Sequence, residues 1–413
     1  MVRFFDALET REPEVRDREQ AAALPGLIQH AKDHAPAYAR LLADIDPPAI
    51  TSREALAALP VTRKSALISL QAEAPPFGGF ATSRGAFSRV LQSPGPIYEP
   101  EGKRSDYWRL SRALFAAGFR PGDLVHNCFA YHFTPGGWIF DDGAQALGCP
   151  VFPAGTGQTE QQLQAIAALR PTAYVGTPSF LAILLDKADY LGADISSLKK
   201  GLVSAEAYLP PQRTLFAERG IPTYQCYSTA DLGLIAYESP DDSGAVEGMV
   251  VDEGVILEIV RPGTGDLVAP GEVGEVLVTT FTPEYPLIRF ATGDLSATLP
   301  GPSPCGRTNM RIKGWMGRAD QTTKVKGMFV HPQQVADVVR RHDALAKARL
   351  IVTRIEGGDV MTLVCETTET LDLADQVAES LRVVTKLRGE VRFVTPGSLP
   401  NDGKVIEDAR DYG

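Results

Sequence analysis

The sequence has no excess of basic residues and no long apolar run. Its 413 residues include 41 Lys and Arg against 51 Asp and Glu, which gives a formal net charge of −10. No stretch of basic residues alternates with aromatic residues, as a nucleic-acid surface would require. No apolar run reaches the roughly 18 residues that a membrane-spanning helix needs. We therefore expect neither a nucleic-acid partner nor a membrane partner.

Cysteine is scarce as well. The five cysteines are scattered and form no C-x-x-C pair, which argues against a disulfide framework and against an all-cysteine zinc site. The first residues, MVRFFDALETREPEVR, are charged where a secretory signal would be basic and then apolar. These features predict a cytoplasmic protein with reduced thiols. The length predicts two to three domains.

The first hundred residues predict helices and then a loop. Thr51 to Glu54 has the pattern of a capping box, and Thr62 can cap a second helix that runs into Leu67. Residues 71–104 are rich in glycine and proline and are predicted to be a loop. From Ser105, helix-period segments such as Ser105–Ala117 alternate with short apolar segments such as Leu124–Phe129. This alternation predicts a parallel sheet with helices on both faces.

Polar clusters follow the predicted strands, at the edge where such sheets bind ligands. They are Tyr131–Thr134, Ala154–Gly157, Gly176–Ser179, Ser204–Glu206 and Tyr227–Asp231. Residues 246–280 alternate apolar and polar residues between glycine-rich turns, which predicts antiparallel hairpins. The last 95 or so residues, after Gly317, predict a separate α+β domain. The fold class is therefore α/β with parallel and antiparallel sheets and a small C-terminal domain.

Four short motifs could carry chemistry. Tyr227–Asp231 places an aromatic face, hydroxyls and a carboxylate within five residues, which suits a base and a cation near phosphate. Asp294 follows Gly293, which leaves its carboxylate open to a polyol such as ribose. Gly317–Asp320 stands at the predicted domain junction, and Lys404 follows Gly403 near the chain end. Taken singly, each motif is also typical of a turn, a linker or a solvated tail.

The order and spacing of these motifs resemble the adenylate-forming acyl-CoA ligases, and most closely the phenylacetate-CoA ligase branch. The similarity covers roughly residues 90–410. The branch is indicated by Tyr131 with Phe133-Thr134 and Gly136-Gly137, Gly155-x-Gly157 with Gln161, Thr177-Pro178-Ser179, Ser204-Ala205-Glu206, Pro286–Phe290 and Pro304–Arg307.

The resemblance implies a two-step reaction with ATP, Mg²⁺ and coenzyme A as cofactors. A small carboxylate, with an aromatic acid favoured, attacks the α-phosphate of ATP and yields an acyl-adenylate. A C-terminal lid domain, residues 317–413, then rotates against the N-terminal AMP-binding domain, residues 1–316, and the thiol displaces AMP. Assembly into a homodimer is left open.

The resemblance also implies residue roles at the nucleotide. Lys404 and Mg²⁺ would neutralise the charge of the first step, with the metal held at Asp231. Asp294 would accept the ribose hydroxyls, with Arg318 beside it. The residues implied at the adenine and its phosphate are Tyr227, Ser228, Thr229, Ser204, Ala205 and Glu206.

Further roles concern the lid and the acid. Asp320 would be the hinge, and Lys324 and Gly327 would face the site during thiol transfer. The acyl pocket would be lined by Tyr131, Phe133, Gly136, Trp138 and Cys226, whose neutral and aromatic character suits an aryl acid. For Phe133 and Trp138, a role in core packing is equally open.

The departures from the family pattern leave two alternatives to a coenzyme A ligase. The phosphate-binding loop corresponds to Leu91–Pro100, where three prolines remove donors and Glu99 adds a negative charge, so that a triphosphate is expected to bind poorly. Ala230 and Asp231 stand where threonine and glutamate are usual. These changes favour a catalytically impaired homologue that binds a nucleotide or an acyl-adenylate. The other alternative is a ligase with an amine or carrier-protein acceptor.

Overall fold

The computed structural model describes residues 3–93, 96–319, 323–326, 328–330, 332–355, 358–368, 373–400 and 404–410. The chain divides into two compact units. The first comprises Met1–Glu272, Val276–Thr292 and Ser296–Trp315, and the second comprises Val273–Glu275, Gly293–Leu295 and Met316–Gly413.

The first unit contains nine α-helices among the residues described. These are α1 Pro13–His34, α2 Pro36–Leu41, α3 Arg53–Ala57, α4 Leu67–Glu73, α5 Ser111–Ala116, α6 Gly136–Ala146, α7 Thr159–Leu169, α8 Pro178–Leu191 and α9 Pro210–Glu218. The strands up to the end of the first unit are β1 Thr62–Arg63, β2 Phe87–Ser93, β3 Ile97–Gly102, β4 Val125–Asn127, β5 Val151–Phe152, β6 Ala173–Gly176, β7 Lys200–Val203, β8 Thr223–Thr229, β9 Gly233–Tyr237, β10 Met249–Val251, β11 Val255–Val260, β12 Gly274–Thr280, β13 Phe290–Ser296, β14 Thr298–Leu299 and β15 Arg311–Ile312.

A nine-stranded sheet forms the centre of this unit, in the order β14-β15-β10-β9-β8-β7-β6-β4-β5. From β5 to β8 the neighbouring strands are parallel, and from β8 to β14 they are antiparallel. Every residue of β6 is buried, because helices cover both faces of the parallel part. The predicted α/β class with parallel and antiparallel sheets is thereby confirmed.

A second sheet, in the order β1-β13-β12-β11, carries the N-terminal helices. Leu24 and Ile28 of α1 are fully buried in one apolar cluster with Val276 and Val278 of β12. The short strand β1 runs parallel to β13, with Thr62 opposite Phe290. This pairing brings the N-terminal region of the chain to the strand that carries the Gly-Asp motif.

The second unit contains α10 Pro332–Val339, α11 Leu373–Thr385, β16 Thr323–Val325, β17 Met328–Val330, β18 Lys347–Ile355, β19 Gly358–Glu366, β20 Glu390–Val394 and β21 Ile406–Asp408. Its four-stranded sheet has the order β20-β19-β18-β21. An apolar core of its own, which includes Val338, Leu350 and Leu381, lies between the sheet and the helices. It is the α+β unit that the sequence predicts.

Three local predictions were wrong. The helix predicted over Ser105–Ala117 is only α5, because Asp106 and Arg109 adopt positive φ angles of 51° and 62° and break the helix. The predicted loop over residues 71–104 contains the hairpin of β2 and β3. Thr62 lies in a strand and caps no helix.

The capping box was predicted one residue too early. Ser52 is the N-cap of α3, and its Oγ accepts the N–H of Ala55 at 3.1 Å. Across the described residues, no helix is long and apolar enough to cross a membrane.

Candidate active site

Polar side chains at the ends of β7 and β8 are joined by hydrogen bonds. The Ser204 hydroxyl donates to the carbonyl of Cys226 at 2.9 Å and lies 3.3 Å from the Ser228 hydroxyl. The Tyr227 hydroxyl donates to Oγ1 of Thr292 on β13 at 3.2 Å. Thr229 Oγ1 accepts the N–H of Leu232 and closes the turn after β8. The structure therefore brings two predicted motifs, Ser204–Glu206 and Tyr227–Asp231, to one place in the first unit, next to Thr292.

The turn after β7 has strained backbone. Ala205 adopts a φ of 70°, a conformation that non-glycine residues rarely take and that often occurs at functional sites. The Glu206 carbonyl accepts a hydrogen bond from Gln225 at 2.9 Å, and its carboxylate accepts the N–H of Ser179 at 3.3 Å. The turn is thus held between the ends of β6 and β8, with the Ala205 and Glu206 side chains exposed.

Asp231, the predicted metal ligand, forms an ion pair with a lysine from the N-terminal region. Lys64 Nζ lies 2.5 Å from Asp231 Oδ2, and the side chains are 22% and 0% exposed. Asp231 Oδ1 is buried and has no hydrogen-bond partner within the part of the chain that the structure describes. Lys64 was not among the site residues predicted from the sequence, since it lies 167 positions from Asp231.

Strand pairing explains how Lys64 reaches the site. Arg63, the last residue of β1, is opposite Ala291 of β13, one position before Thr292. Lys64 follows directly and begins a short 3-10 helix, Lys64–Ala66. A strand of two residues has no periodicity to recognise, so no sequence pattern marked it.

Glu99 of β3, in the segment that was predicted to correspond to the family's phosphate-binding loop, is fully buried. Its carboxyl group accepts the N–H of Ser93 at 3.2 Å and lies 2.5 Å from the Ser93 hydroxyl. Burial, together with the negative charge of Asp231, raises the pKa of Glu99 to about 8. The predicted negative charge is therefore not at the surface, because the Glu99 side chain is fully buried and its raised pKa favours the protonated carboxyl group.

Tyr285 completes this buried cluster. Its hydroxyl is another buried polar atom without a hydrogen-bond partner among the described residues. Burial and the charges of Asp231 and Glu99 raise the pKa of Tyr285 well above its usual value. We refer to Lys64, Glu99, Asp231 and Tyr285 as the buried charge cluster.

The predicted ribose residues form an ion pair in the second unit. Arg318 donates from its guanidinium to Asp294 Oδ1 at 3.1 Å, and the two side chains are 42% and 11% exposed. Gly293 adopts a φ of 77°, which favours glycine and turns the backbone just before Asp294. The Ala319 N–H donates to the Gly293 carbonyl, so the backbone also joins the two motifs.

The other predicted residues of the C-terminal region are only partly described. Lys404 is half-buried, and its carbonyl accepts a hydrogen bond from Arg349 at 3.1 Å. Lys324 lies in β16. Asp320 and Gly327 lie outside the described residues.

Tyr131 and Trp138, predicted to line the acyl pocket, contact each other. Their rings meet edge to face at 5.1 Å, and Trp138 Nε1 donates to the Tyr131 carbonyl at 3.0 Å. The Tyr131 hydroxyl donates to Asp141 and accepts from Asn127, both at 2.7 Å. Burial raises the pKa of Tyr131 far above its usual value, so the group stays a neutral phenol.

The remaining pocket candidates have different environments. Phe133 is 76% exposed and has a φ of 62°, and its carbonyl accepts the N–H of Gln92 in β2 at 2.8 Å. Gly136 is the first residue of α6. Cys226 is buried, and burial raises the pKa of its thiol to about 12. The loop of Phe133 is therefore fastened to the hairpin that carries Glu99.

The Gly155-x-Gly157 turn is held by the first helix turn of α7. Gln162, not Gln161, donates to the carbonyls of Gly155 and Gly157, at 2.9 and 2.7 Å. Gln162 is buried, whereas Gln161 is exposed, because α7 turns the two side chains to different faces.

A cavity of about 710 Å³ opens beside the turn of Ser204 to Glu206. Ala207 and Gln225 contribute to its wall. Arg213, also in the wall, stacks on Tyr208 at 4.0 Å and donates to both carboxylate oxygens of Glu238. Its charged group is thus already paired within the cavity wall.

Comparison with known proteins identifies the family. The model of the family described as AMP-binding enzyme matches residues 143–281. The phenylacetate-coenzyme A ligase of Aromatoleum evansii is 31% identical over 379 residues, which cover 87% of this chain and 84% of that protein. The chain belongs to the phenylacetate-CoA ligase family of AMP-binding enzymes. The resemblance predicted from the motifs is thereby confirmed.

Other members of the family and a solved structure agree. The phenylacetate-coenzyme A ligase of Escherichia coli is 29% identical over 433 residues, covering 97% of this chain and 96% of that protein. The crystal structure of 2-hydroxyisobutyryl-CoA ligase with 2-HIB-AMP and CoA has a TM-score of 0.74 and 25% identity, and covers 99% of this chain and 93% of that chain. The chain is thus an AMP-forming acid–thiol ligase by family.

Asp231 is suited to hold a divalent cation in this family member. Among the described residues, no group of three or more His, Cys, Asp or Glu side chains is arranged to bind a metal ion. Mg²⁺ commonly takes one or two carboxylates and completes its coordination with substrate phosphates and water. Asp231 Oδ1, which is buried and has no hydrogen-bond partner among the described residues, fits that role, and the phosphates of a nucleotide would supply other ligands.

Proposed function

We propose that this enzyme activates a small carboxylic acid, preferably an aromatic one, as an acyl-adenylate and transfers it to coenzyme A. The observation that carries the proposal is the meeting of the ends of β7 and β8 with Thr292, through Ser204, Tyr227 and Ser228. A nucleotide at this edge would stack its base on Tyr227 and direct its phosphates towards Asp231.

Each remaining residue has a role that its environment supports. Asp294 is an acceptor for the two ribose hydroxyls, and Arg318 orients it through their hydrogen bond. Mg²⁺ at Asp231 would supply positive charge when bound. Lys404 would stabilise the charge that develops as the carboxylate attacks the α-phosphate. Ala205 and Glu206 would contact the edge of the adenine.

An aromatic acid is favoured by the neutral lining that Tyr131 and Trp138 offer and by the names of the relatives, which are phenylacetate-CoA ligases. An acid with a further charged or strongly polar group, besides its reacting carboxylate, would leave that group unpaired against these rings. Phe133 would join the pocket only if its exposed ring turns inwards on binding.

The lid domain of the proposal comprises residues 317–413, with Asp320 as its hinge and Lys324 and Gly327 near the site during thiol transfer. We further expect the enzyme to be cytoplasmic, and sedimentation would test whether it forms a homodimer. Transfer to an amine or a carrier-protein thiol is the corresponding alternative for the second step.

A second candidate function is binding of an acyl-adenylate or nucleotide without turnover. It is favoured by the hairpin of β2 and β3, where Pro96 and Pro100 lack N–H groups and Glu99 is buried. Ala230 also lacks the hydroxyl that the family pattern has at this position. A protein of this kind would be stabilised by AMP in a melting experiment but would release no AMP from ATP.

The decisive experiment measures AMP release from ATP, Mg²⁺ and coenzyme A with a panel of aryl, arylacetic and short aliphatic acids. We expect acid-dependent release that is greatest with an aromatic acid. The Lys404→Ala variant should lower the rate of the adenylation half-reaction by roughly 10² to 10³-fold. Thiol transfer from a preformed acyl-adenylate should change little.

Lys187→Ala is a matched control, since it removes one lysine whose salt bridge to Glu160 lies on the surface of the first unit. It should leave both half-reactions unchanged. Equal losses in both half-reactions of the Lys404 variant would refute its role in adenylation. No AMP release with any acid, together with stabilisation by AMP, would support the non-catalytic function instead.

A further inference from the structure

The segment in the place of the phosphate-binding loop contains no basic residue. Residues 91–102, LQSPGPIYEPEG, contain neither lysine nor arginine. Arg89, the nearest arginine before them, is paired with the carboxylate of Glu101 and stacks on Trp138 at 4.0 Å. Lys103 and Arg104, which follow the segment, donate to the carbonyls of Gly85 and Tyr107. Because these neighbouring cations already have partners, we expect a nucleotide at this site to take a positive charge from another part of the chain.

Lys64 is placed to supply that charge. It comes from the other side of the site, after β1, and its ammonium lies 2.5 Å from the buried carboxylate of Asp231. Its side chain is 22% exposed, so solvent reaches part of it, whereas the Asp231 side chain is fully buried. A lysine side chain has a flexible four-carbon stem and can redirect its ammonium over a few ångström.

The ion pair is a poor device for stability alone. A buried ion pair gains little over well-packed apolar residues, because both charges lose their hydration. The pair also leaves Asp231 Oδ1 and the nearby Tyr285 hydroxyl buried without partners among the described residues. Buried polar atoms normally have hydrogen-bond partners, so two such atoms without protein partners next to an ion pair indicate a site where a ligand supplies the hydrogen bonds.

We propose that Lys64 is the phosphate-binding cation of this enzyme, held by Asp231 until a nucleoside polyphosphate binds. The ligand class is an adenosine polyphosphate, and the inference rests on the proposed function. On binding, the ammonium group exchanges the Asp231 carboxylate for phosphate oxygens. The released carboxylate can then bind a divalent cation. Lys64 thus replaces the charge that the hairpin has lost, and it differs in role from Lys404.

The test compares metal-free nucleotide binding by calorimetry, in EDTA, with a non-hydrolysable ATP analogue and with adenosine. The variants are Asp231→Asn, Lys64→Met and the double variant. Because Asp231→Asn removes the counter-ion that competes with phosphate, it should bind the analogue roughly 10-fold more tightly than the parent protein. The double variant should lose this gain and bind at least about 10-fold more weakly than Asp231→Asn.

Adenosine separates phosphate binding from general damage, since it lacks the group that Lys64 is proposed to contact. Its affinity should be the same in all four proteins, and a melting curve of each verifies that it is folded. If Lys64→Met alone does not fold, the comparison of Asp231→Asn with the double variant still decides the question. Asp231→Asn removes the counter-ion of a lysine that is 22% exposed, and the double variant removes both charges, so neither protein keeps the fully buried carboxylate without a counter-charge.

Equal affinity of Asp231→Asn and the double variant for the analogue would overturn the proposal and assign Lys64 a structural role. In that case AMP release by the parent protein would still uphold the proposed function. If the parent protein releases AMP but adenosine binding also falls in the double variant, Lys64 shapes the site as a whole and the proposal fails. Absence of any binding of the analogue and of adenosine to the parent protein would overturn both the inference and the proposed function.

Discussion

Two ion pairs of a motif aspartate with a basic residue, one in each unit, differ in their exposure. Lys64 Nζ and Asp231 lie 2.5 Å apart, and the carboxylate is fully buried. Arg318 and Asp294 lie 3.1 Å apart, and the guanidinium is 42% exposed. Water screens much of the attraction between Arg318 and Asp294, whereas the Asp231 carboxylate has no contact with solvent that could take the place of Lys64. The comparison shows that two pairs of the same charges differ in how far solvent screens them, which is the difference on which their proposed roles rest.

The surroundings of the two pairs reinforce the difference. The charge of Asp231 also acts on Glu99 and Tyr285, both buried, and raises the pKa of each. The charge of Asp231 therefore acts on two further buried groups beyond its ion pair with Lys64. Asp294 and Arg318 are linked by their side-chain hydrogen bond and by an antiparallel backbone bridge. These two links hold the orientation of the Asp294 carboxylate.

The largest expected effect comes from breaking the buried pair. Lys64→Met should lower the free energy of unfolding by about 3 to 5 kcal/mol, because the Asp231 carboxylate is left buried without a counter-charge. Urea unfolding at neutral pH measures it. The double variant Lys64→Met with Asp231→Asn is the matched control and should recover most of the loss. A loss below about 1 kcal/mol in the single variant would show that water reaches Asp231.

An intermediate effect is expected from Glu99, and it depends on pH. The pKa of Glu99 is raised from 4.5 to about 8 by burial and by the charge of Asp231, so the folded protein keeps a proton that the unfolded chain has lost. The contribution of this group to stability is fully present below pH 4.5 and is lost as the pH rises through 8. Glu99→Gln mimics the protonated form at every pH.

Stability of Glu99→Gln relative to the parent protein should therefore rise with pH between about 5 and 8, by at most about 1.4 kcal/mol per pH unit. Thermal or urea unfolding at several pH values measures the difference. Glu206→Gln, which neutralises an exposed carboxylate of the same unit, is the control and should show no such slope. A flat difference for Glu99→Gln would mean that the carboxyl group is ionised in the folded protein.

The smallest expected effect is that of the exposed pair. Arg318→Met should change the free energy of unfolding by about 0 to 1 kcal/mol, because solvent screens a pair whose guanidinium is 42% exposed. Measurement under the same conditions as Lys64→Met makes the comparison direct. Equal losses in the two variants would contradict the distinction between a buried and an exposed pair.

Much of the architecture and the family follow from local patterns of the sequence. Short apolar strands such as Ala173–Gly176 alternate with helices along the chain, and this alternation predicts a parallel sheet with helices on both faces. The motifs at Tyr227 and Asp294 were recognised because each is contiguous. The residues of each motif lie within a few positions of each other, so each motif can be recognised as a sequence pattern.

The failures come from contacts between distant parts of the chain. Asp106 and Arg109 adopt positive φ angles where the helical pattern had predicted α-helix, since tertiary packing overrides propensity. Glu99 was expected to place a negative charge where a phosphate would lie, yet the hairpin buries it against Ser93. Burial of a carboxyl group, and hence its protonation, depends on the packing of several elements and has no signature in the residues beside it.

The strand and helix periods and the order of the motifs, and with them the family, could be predicted from the residues alone, because these features depend on neighbours along the chain. The charges that meet in the site were known only from the folded structure. Lys64 reaches Asp231 across 167 positions because β1 pairs with β13, and two residues of strand carry no recognisable period. The two residues of an ion pair need not be close in the sequence, so the pair can be identified only from the positions of the strands in the folded protein.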